Sequence, residues 1–140
     1  MVDATTHEQN YRTPPVNERG RAYDPDVADD ERTYALLMHL SLLGHVVLSL
    51  IAIVIPIVMW QVKKDTSPFL DDHGREAVNF QISLIVLSIL LIPIGILTCS
   101  AGFFLYIPLY ALAVVGMIQA AMAANRGEFY RYPMTFRFIN

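Results

Sequence analysis

The polar residues that could do chemistry in this 140-residue chain collect in two short segments. The first segment, just before a long apolar run, contains the candidates Asp71, Asp72, His73, Glu76, Asn79 and Gln81. On a helix, His73 and Glu76 share a face because they stand three positions apart, and Asn79 extends that face. A metal site built from Asp72, His73 and Glu76 would be incomplete, because no second histidine stands at ligand spacing. The segment is more typical of a helix N-cap followed by hydrogen bonds to neighbouring helices.

The second segment is the C-terminal tail, in which aromatic and apolar residues alternate with polar ones. This period of two predicts an extended segment with one apolar side and one polar side. A lone strand inside lipid would leave its backbone groups unpaired, so we expect the tail to lie at the membrane interface. Arg131 and Arg137 would there meet lipid phosphates or the acidic pair Asp71 and Asp72. The candidate residues of the tail are Tyr130, Arg131, Tyr132 and Arg137.

The chain lacks the residue patterns of the common catalytic classes. His39 and His45 lie in the first apolar segment, where no aspartate or glutamate could complete a proton relay. The serines of the apolar segments show no Ser–His–acid arrangement. A net charge of −3 without a basic patch argues against a nucleic-acid partner. We therefore expect a protein that is not an enzyme, binds no cofactor and holds no metal.

The charged residues are segregated along the chain. Residues 33–62 and residues 77–125 contain no Asp, Glu, Lys or Arg. A soluble helix needs a charged or polar face toward water, whereas about 20 consecutive apolar residues can span a bilayer. The sequence therefore predicts an all-α integral membrane protein.

The number of spans depends on the first apolar segment. A straight helix over residues 33–62 would measure about 45 Å, against a hydrocarbon core of about 30 Å. Gly44-His45 and Pro56 are the candidate breakpoints. We expect three transmembrane helices, the first of them long and broken; the alternative is four, with 34–43 and 46–61 as separate short helices. The second and third spans are expected at 77–97 and 105–124, joined by a turn at 98–102.

Three regions follow from these patterns. Residues 1–30 are expected to form a disordered polar leader, because they combine prolines and scattered charges with few aliphatic residues. Residues 31–127 form the helical transmembrane domain, and residues 128–140 the interfacial tail. Gly116, Ala120 and Ala124 make a small-residue stripe that predicts an internal packing face.

Basic residues near the span ends predict the orientation. The loop at residues 63–75 and the C-terminal tail carry them, while the turn after the second span carries none. Both segments are therefore predicted to be cytoplasmic, in a multi-pass protein of the cell (inner) membrane. The N-terminus would lie outside with three spans and inside with four.

Two sequence blocks resemble a known family. Residues Lys63 to Gln81 match Lys-Lys-Asp-x-Ser-Pro-Phe-x-Asp-x-His-Gly-x-Glu-Ala-x-Asn-Phe-Gln, and Ala124 to Pro133 match Ala-Asn-x-Gly-Glu-x-Tyr-Arg-Tyr-Pro. The chain resembles small bacterial multi-pass membrane proteins classed as a domain of unknown function. That family is considered distantly related to the twenty-kilodalton (Tic) subunit of the chloroplast inner-envelope import translocon. The resemblance implies a helical membrane protein without an assigned activity, and the four helices drawn for the translocon subunit favour a divided first segment.

The sequence supports one functional expectation over another. We expect a non-enzymatic module that sits in the lipid bilayer and packs with itself or with other membrane proteins. The alternative is a small oligomeric pore or a transporter or translocation component. Its broken helices at Gly44, Pro56 and Pro93 would expose backbone to a cavity.

Overall fold

The computed structural model describes residues 13–48 and 53–139. Within them the chain forms four α-helices and no strand, with one 3₁₀ segment, Ala101–Leu105, that leads into the last helix. The helices are α1 (Asp29–Leu48), α2 (Val54–Lys63), α3 (Pro68–Leu97) and α4 (Tyr106–Asn125). The expectation of an all-α protein is confirmed for the described residues.

Two helical stretches are long and apolar enough to cross a membrane. They are α3 and the stretch Ala101–Asn125. Their positions agree with the predicted second and third spans, and both end beside the predicted turn at 98–102. The predicted count of three spans is not confirmed.

The first apolar segment is divided, but not at the predicted breakpoints. Helix α1 continues through Gly44, because a single glycine costs a helix only about 1 kcal/mol. Pro56 lies in the first turn of α2, where a missing backbone N–H breaks no helical bond. Residues 49–52, which stand between these two helices, lie outside the described part. The side chain of His45 also lies outside it.

Helix α3 begins nine residues earlier than the predicted second span at residue 77. Ser67 has extended backbone angles (φ −156°, ψ 132°), and Pro68 follows as the first helical residue. The predicted loop over residues 63–75 is therefore wrong from Pro68 onward, because proline fits the first turn of a helix. The consequence is that polar residues expected in a loop take fixed positions on one helix face.

The described part of the leader makes backbone contacts within itself and with the start of the tail, and its predicted disorder stays a prediction. Residues 13–28 form an antiparallel bridge between Val16 and Ala22, and a second between Tyr23 and Glu128. The backbone N–H of Phe129 donates to the carbonyl of Ala22 at 2.9 Å. The leader buries little apolar surface of its own, but its polar groups find partners on the start of the tail. Residues 1–12 lie outside the described part.

Helix α1 packs against α4 and α3, and small residues make that packing close. Ala120 and Ala124 of α4 are fully buried, and Gly116 lies so close to Tyr132 that an added Cβ would stand 3.2 Å from its ring. The small-residue stripe therefore faces the interior of this chain. Met38 and Leu42 of α1 pack in the same core.

All charged residues of the described part lie at one end of the molecule. They occupy residues 13–32, 63–76 and 126–131, together with the side chain of Arg137, which reaches Glu76; these parts contact one another, and we call them the charged head. The turn at 98–102 lies at the other end and carries no charge. Between the two ends the helices expose large apolar side chains, among them Leu90, Ile96 and Leu112. This distribution suits a helical hairpin in lipid.

Candidate functional site

One face of α3 carries four polar residues at intervals of four, three and four positions. We call these residues the polar stripe: Asp72, Glu76, Asn79 and Ser83. Such spacing places side chains above one another on a helix. The stripe turns toward the tail, so that Glu76, Asn79 and Ser83 are each no more than 3% exposed. The sequence predicted the shared face of Glu76 and Asn79, and the early start of α3 extends it in both directions.

The stripe binds the backbone of the tail. Glu76 Oε1 accepts a hydrogen bond from the N–H of Tyr132 at 2.8 Å. Ser83 Oγ accepts one from the N–H of Phe136, also at 2.8 Å, and donates to the carbonyl of Asn79. Among residues 13–48 and 53–139, no strand lies beside the tail at these positions, so side chains of a helix take the place of a sheet partner.

Asn79 makes three hydrogen bonds to the backbone of the tail. Its Oδ1 accepts from the N–H groups of Phe138 and Ile139 at 3.0 and 2.9 Å, while its Nδ2 donates to the carbonyl of Ile139 at 2.9 Å. A carboxamide offers both a donor and an acceptor to a peptide, and here it uses both. Asn79 therefore acts as a substitute peptide group for the tail.

Ion pairs reinforce this attachment at the head. Both terminal nitrogens of Arg131 donate to the carboxylate of Asp72 at 2.6 Å, and this hydrogen bonding raises the pKa of the Arg131 guanidinium. Arg137 Nε stands 3.4 Å from Glu76 Oε2. Arg131 thus meets the acidic pair as the docking hypothesis requires. Asp71 faces away from the tail, because it accepts a hydrogen bond from Trp60 Nε1 at 2.9 Å and pairs with Arg75.

A buried chain of hydrogen bonds joins α1, α3 and the tail. His39 Nε2 and His73 Nδ1 are 2.7 Å apart, and His39 Nδ1 is 2.9 Å from the Tyr132 hydroxyl. Both imidazoles are fully buried. Burial raises the pKa of the Tyr132 hydroxyl, which therefore stays protonated and can donate. The sequence did not reveal this pair, because the two histidines lie 34 positions apart on different helices.

Two other candidate residues lie outside the contact between stripe and tail. Tyr130 donates its hydroxyl to Gln119 at 3.1 Å, and the guanidinium of Arg21 lies 5.1 Å from the centre of its ring. Gln81 is buried on α3, and among the described residues its amide has no hydrogen-bond partner.

A second ionic cluster holds the leader to the start of the tail. The nearly buried carboxylate of Glu128 receives two hydrogen bonds from Arg126 at 3.0 Å each. Arg19, Arg21 and Asn17 of the leader reach the same carboxylate at 3.2, 3.3 and 2.9 Å. The Arg126 hydrogen bonds in particular, with help from Arg21 and Arg19, hold the pKa of Glu128 below its usual value. The contacts of the leader with Glu128 could not be predicted, because these partners lie more than a hundred positions away in the chain.

The arrangement as a whole binds and orients chain segments. Along the stripe, each carboxylate is paired with an arginine of the tail. These groups border a polar cleft of about 170 Å³, lined by Asp72, Arg75, Glu76, Asn79, Arg131, Arg137 and Ile139. In residues 13–48 and 53–139, no group of three or more His, Cys, Asp or Glu side chains is placed to hold a metal ion.

Comparison with known proteins gives one match. The family described as the magnetosome magnetite crystal formation protein family matches residues 30–139, which include all of the four helices except Asp29, and both sequence blocks. No curated protein and no solved structure matches the chain. These comparisons do not connect the chain with the chloroplast translocon subunit, so that part of the resemblance stays a prediction.

Proposed function

The chain belongs to the magnetosome magnetite crystal formation family (MamF/MmsF), and on this premise we propose that it serves magnetite formation as a non-enzymatic membrane protein. Membership and the two apolar helices indicate a membrane location. The more specific proposal is that the charged head is a structural platform for assembly with other membrane proteins or with further copies. Lipid is its other partner, and nucleic acid is not one.

One observation carries this proposal: the buried carboxylates of the head are used to fix chain segments. Glu76 binds the tail, and Glu128, at the start of the tail, binds the leader and Arg126. A catalytic carboxylate must stay available to a substrate, whereas these two are surrounded by arginine and amide groups of the same chain. The head is therefore suited to present a fixed surface.

The same contacts support a topology. Helix α2 has 10 residues, about 15 Å, which is too short to cross a core of about 30 Å. We propose that α1 and α2 enter the membrane and return to the head, while α3 and α4 cross it completely. Both termini then lie on one side. The basic residues of the head, Lys63, Lys64 and Arg126 among them, favour the cytoplasmic side.

A pore or transporter has less support. Asn79, the side chain that such a pathway would need as a polar lining group, is occupied by the tail. Pro93 does not break α3, which continues to Leu97. The described backbone at these positions is therefore not open to a cavity.

Genetic complementation tests the function. A magnetite-forming bacterium that lacks its own family member would receive this chain, and electron microscopy would measure the number and size of its crystals. We expect the chain to restore crystal formation. We expect Glu76→Ala, which removes the carboxylate that binds the tail, to restore less at equal amounts in the membrane. An unchanged crystal population with correctly inserted wild-type chain would contradict the proposal.

A further inference from the structure

The length of the uncharged part of α3 gives an estimate of the depth of each residue in the membrane. Its last charged residue is Glu76, and the stretch from Ala77 to Leu97 is free of charge. At 1.5 Å per residue this stretch is about 30 Å long, which equals the thickness of a hydrocarbon core. The level of Glu76 therefore marks one boundary of the core, and the level of Leu97 marks the other.

By this estimate, part of the tail lies inside the hydrocarbon core. Ser83 is six residues past Ala77 and so lies about 9 Å inside the core, while Asn79 lies about 3 Å inside. The tail leaves the head at Arg131, reaches the level of Ser83 at Phe136, and returns to Asn79 at Ile139. It reverses near Met134, whose backbone has a positive φ of 63°.

We propose that residues 132–139 form a re-entrant loop that dips into the hydrocarbon core and contacts the acyl chains of one leaflet. The apolar side chains on its outer surface fit this occupant. Met134, Phe136 and Phe138 are 71%, 55% and 59% exposed, although they belong to a segment anchored at the depth of Ser83 and Asn79. This placement differs from the expected position at the interface.

The polar stripe lowers the cost of placing this non-helical backbone in lipid. An unpaired N–H or C=O group is costly there, because no water can replace its partner. The N–H groups of Tyr132, Phe136, Phe138 and Ile139 are paired with stripe side chains, and Pro133 has no N–H. Within the described residues, the N–H groups of Met134, Thr135 and Arg137 have no stripe partner, so the stripe offsets only part of this cost. The one charged side chain of the loop, Arg137, reaches back to Glu76 at the boundary.

Spin-label depth measurements test the loop in lipid vesicles of phosphatidylcholine and phosphatidylglycerol. In a Cys99→Ser background, a nitroxide at Met134→Cys is compared with one at Val115→Cys, on the apolar surface of α4, and one at Thr66→Cys, in the head. We expect the Met134 label to collide with dissolved oxygen and to be shielded from a water-soluble nickel chelate, like the Val115 label. Chelate access equal to that at Thr66 would overturn the proposal, as would a label reached by neither reagent.

A matched pair of serine variants tests the role of the stripe. Ser83→Ala removes the acceptor for the Phe136 N–H, whereas Ser88→Ala removes a hydroxyl that lies on the same helix beside Tyr110. We expect Ser83→Ala to increase chelate access at residue 134 and Ser88→Ala to leave it unchanged. If Ser83→Ala left the label as deep as before, the stripe would not be what holds the loop in the core.

Discussion

At the scale of single residues, the fold depends on carboxylates that are buried and fully engaged. Glu76 is 3% exposed, accepts the Tyr132 N–H and pairs with Arg137. A buried carboxylate that loses its partners, or partners that lose their carboxylate, leave polar groups unsatisfied. The two glutamates therefore determine whether tail and leader stay attached, and each supports a separate prediction.

Removing the Glu76 carboxylate should loosen the tail. We expect Glu76→Ala to destabilise the attached tail by about 1–3 kcal/mol, because the buried Tyr132 N–H loses its acceptor. Limited proteolysis in mild detergent would show faster cleavage within residues 131–139. Asp65→Asn is the matched control, because Asp65 is exposed. Equal cleavage rates in the two variants would contradict the assigned role of Glu76.

Acid should release the leader through Glu128. Its pKa is lower in the folded protein than its ordinary value of 4.5, chiefly because Arg126 donates hydrogen bonds to it. A lowered pKa stabilises the fold above the ordinary value, and that stabilisation is lost as the pH falls through the folded value. The protection of residues 13–28 against hydrogen exchange, taken relative to the intrinsic exchange rate at each pH, should therefore decrease below about pH 4.5. The Glu128→Gln variant should lack this acid-induced step, and a step of unchanged size in that variant would exclude Glu128 as its source.

At the scale of elements, the helix crossings rely on small residues placed against rings. Gly74 of α3 lies against Trp60 of α2, where an added Cβ would stand only 2.1 Å from Cδ1. The same tryptophan donates to Asp71 one turn earlier on α3. The short helix α2 is thus attached to α3 by one ring, through both packing and a hydrogen bond.

Gly74→Ala should separate α2 from α3. The added methyl cannot be accommodated without moving the Trp60 ring, and overpacking of this kind costs about 1–3 kcal/mol. We expect a lower melting temperature and a red-shifted emission from Trp60, the only tryptophan. Gly116→Ala is the graded comparison, because its Cβ would stand 3.2 Å from the Tyr132 ring and needs only a small adjustment. Equal losses in the two variants would contradict the close contact at Gly74.

The sequence predicted elements where local chemistry determines them. The end of α3 at Leu97 and the turn after it follow from small and polar residues between two apolar runs. The start of α3 was placed too late, because acidic residues suit both a loop and a first helical turn. The contacts between the leader and Glu128 could not be predicted, and neither could the His39–His73 pair, since both depend on partners distant in the chain. The contact of Arg131 with Asp72, though not with Asp71, agrees with the docking hypothesis, because opposite charges flank the same end of the apolar helices.

At the scale of the whole molecule, the two ends differ in charge. The charged head contains every described charged residue, and the opposite end holds only the uncharged turn at 98–102. Contacts between the leader and Glu128 keep both ends of the described chain on the same side. An arrangement with the leader and the tail on opposite sides of a membrane is incompatible with these contacts.

Labelling with a membrane-impermeant reagent should show that the two ends of the molecule lie on opposite sides of the membrane. Cys99 is the only cysteine and is exposed in the turn, so a membrane-impermeant maleimide should react with it from outside the cell. In a Cys99→Ser background, Thr66→Cys should react only after the membrane is opened. Reaction of both positions from the same side would contradict the proposed topology, whichever side it is.

The distance in sequence between the polar stripe and the tail has a consequence for biogenesis. Synthesis proceeds from the N-terminus, so residues 131–139 leave the ribosome after α3 and α4. Until then Asn79 and Ser83 face lipid or the insertion machinery without the tail as their hydrogen-bond partner. The tail then completes the fold, as a step that follows insertion of α3. A chain truncated after α4 should therefore be inserted but still unfinished, and recognisable as such by quality control.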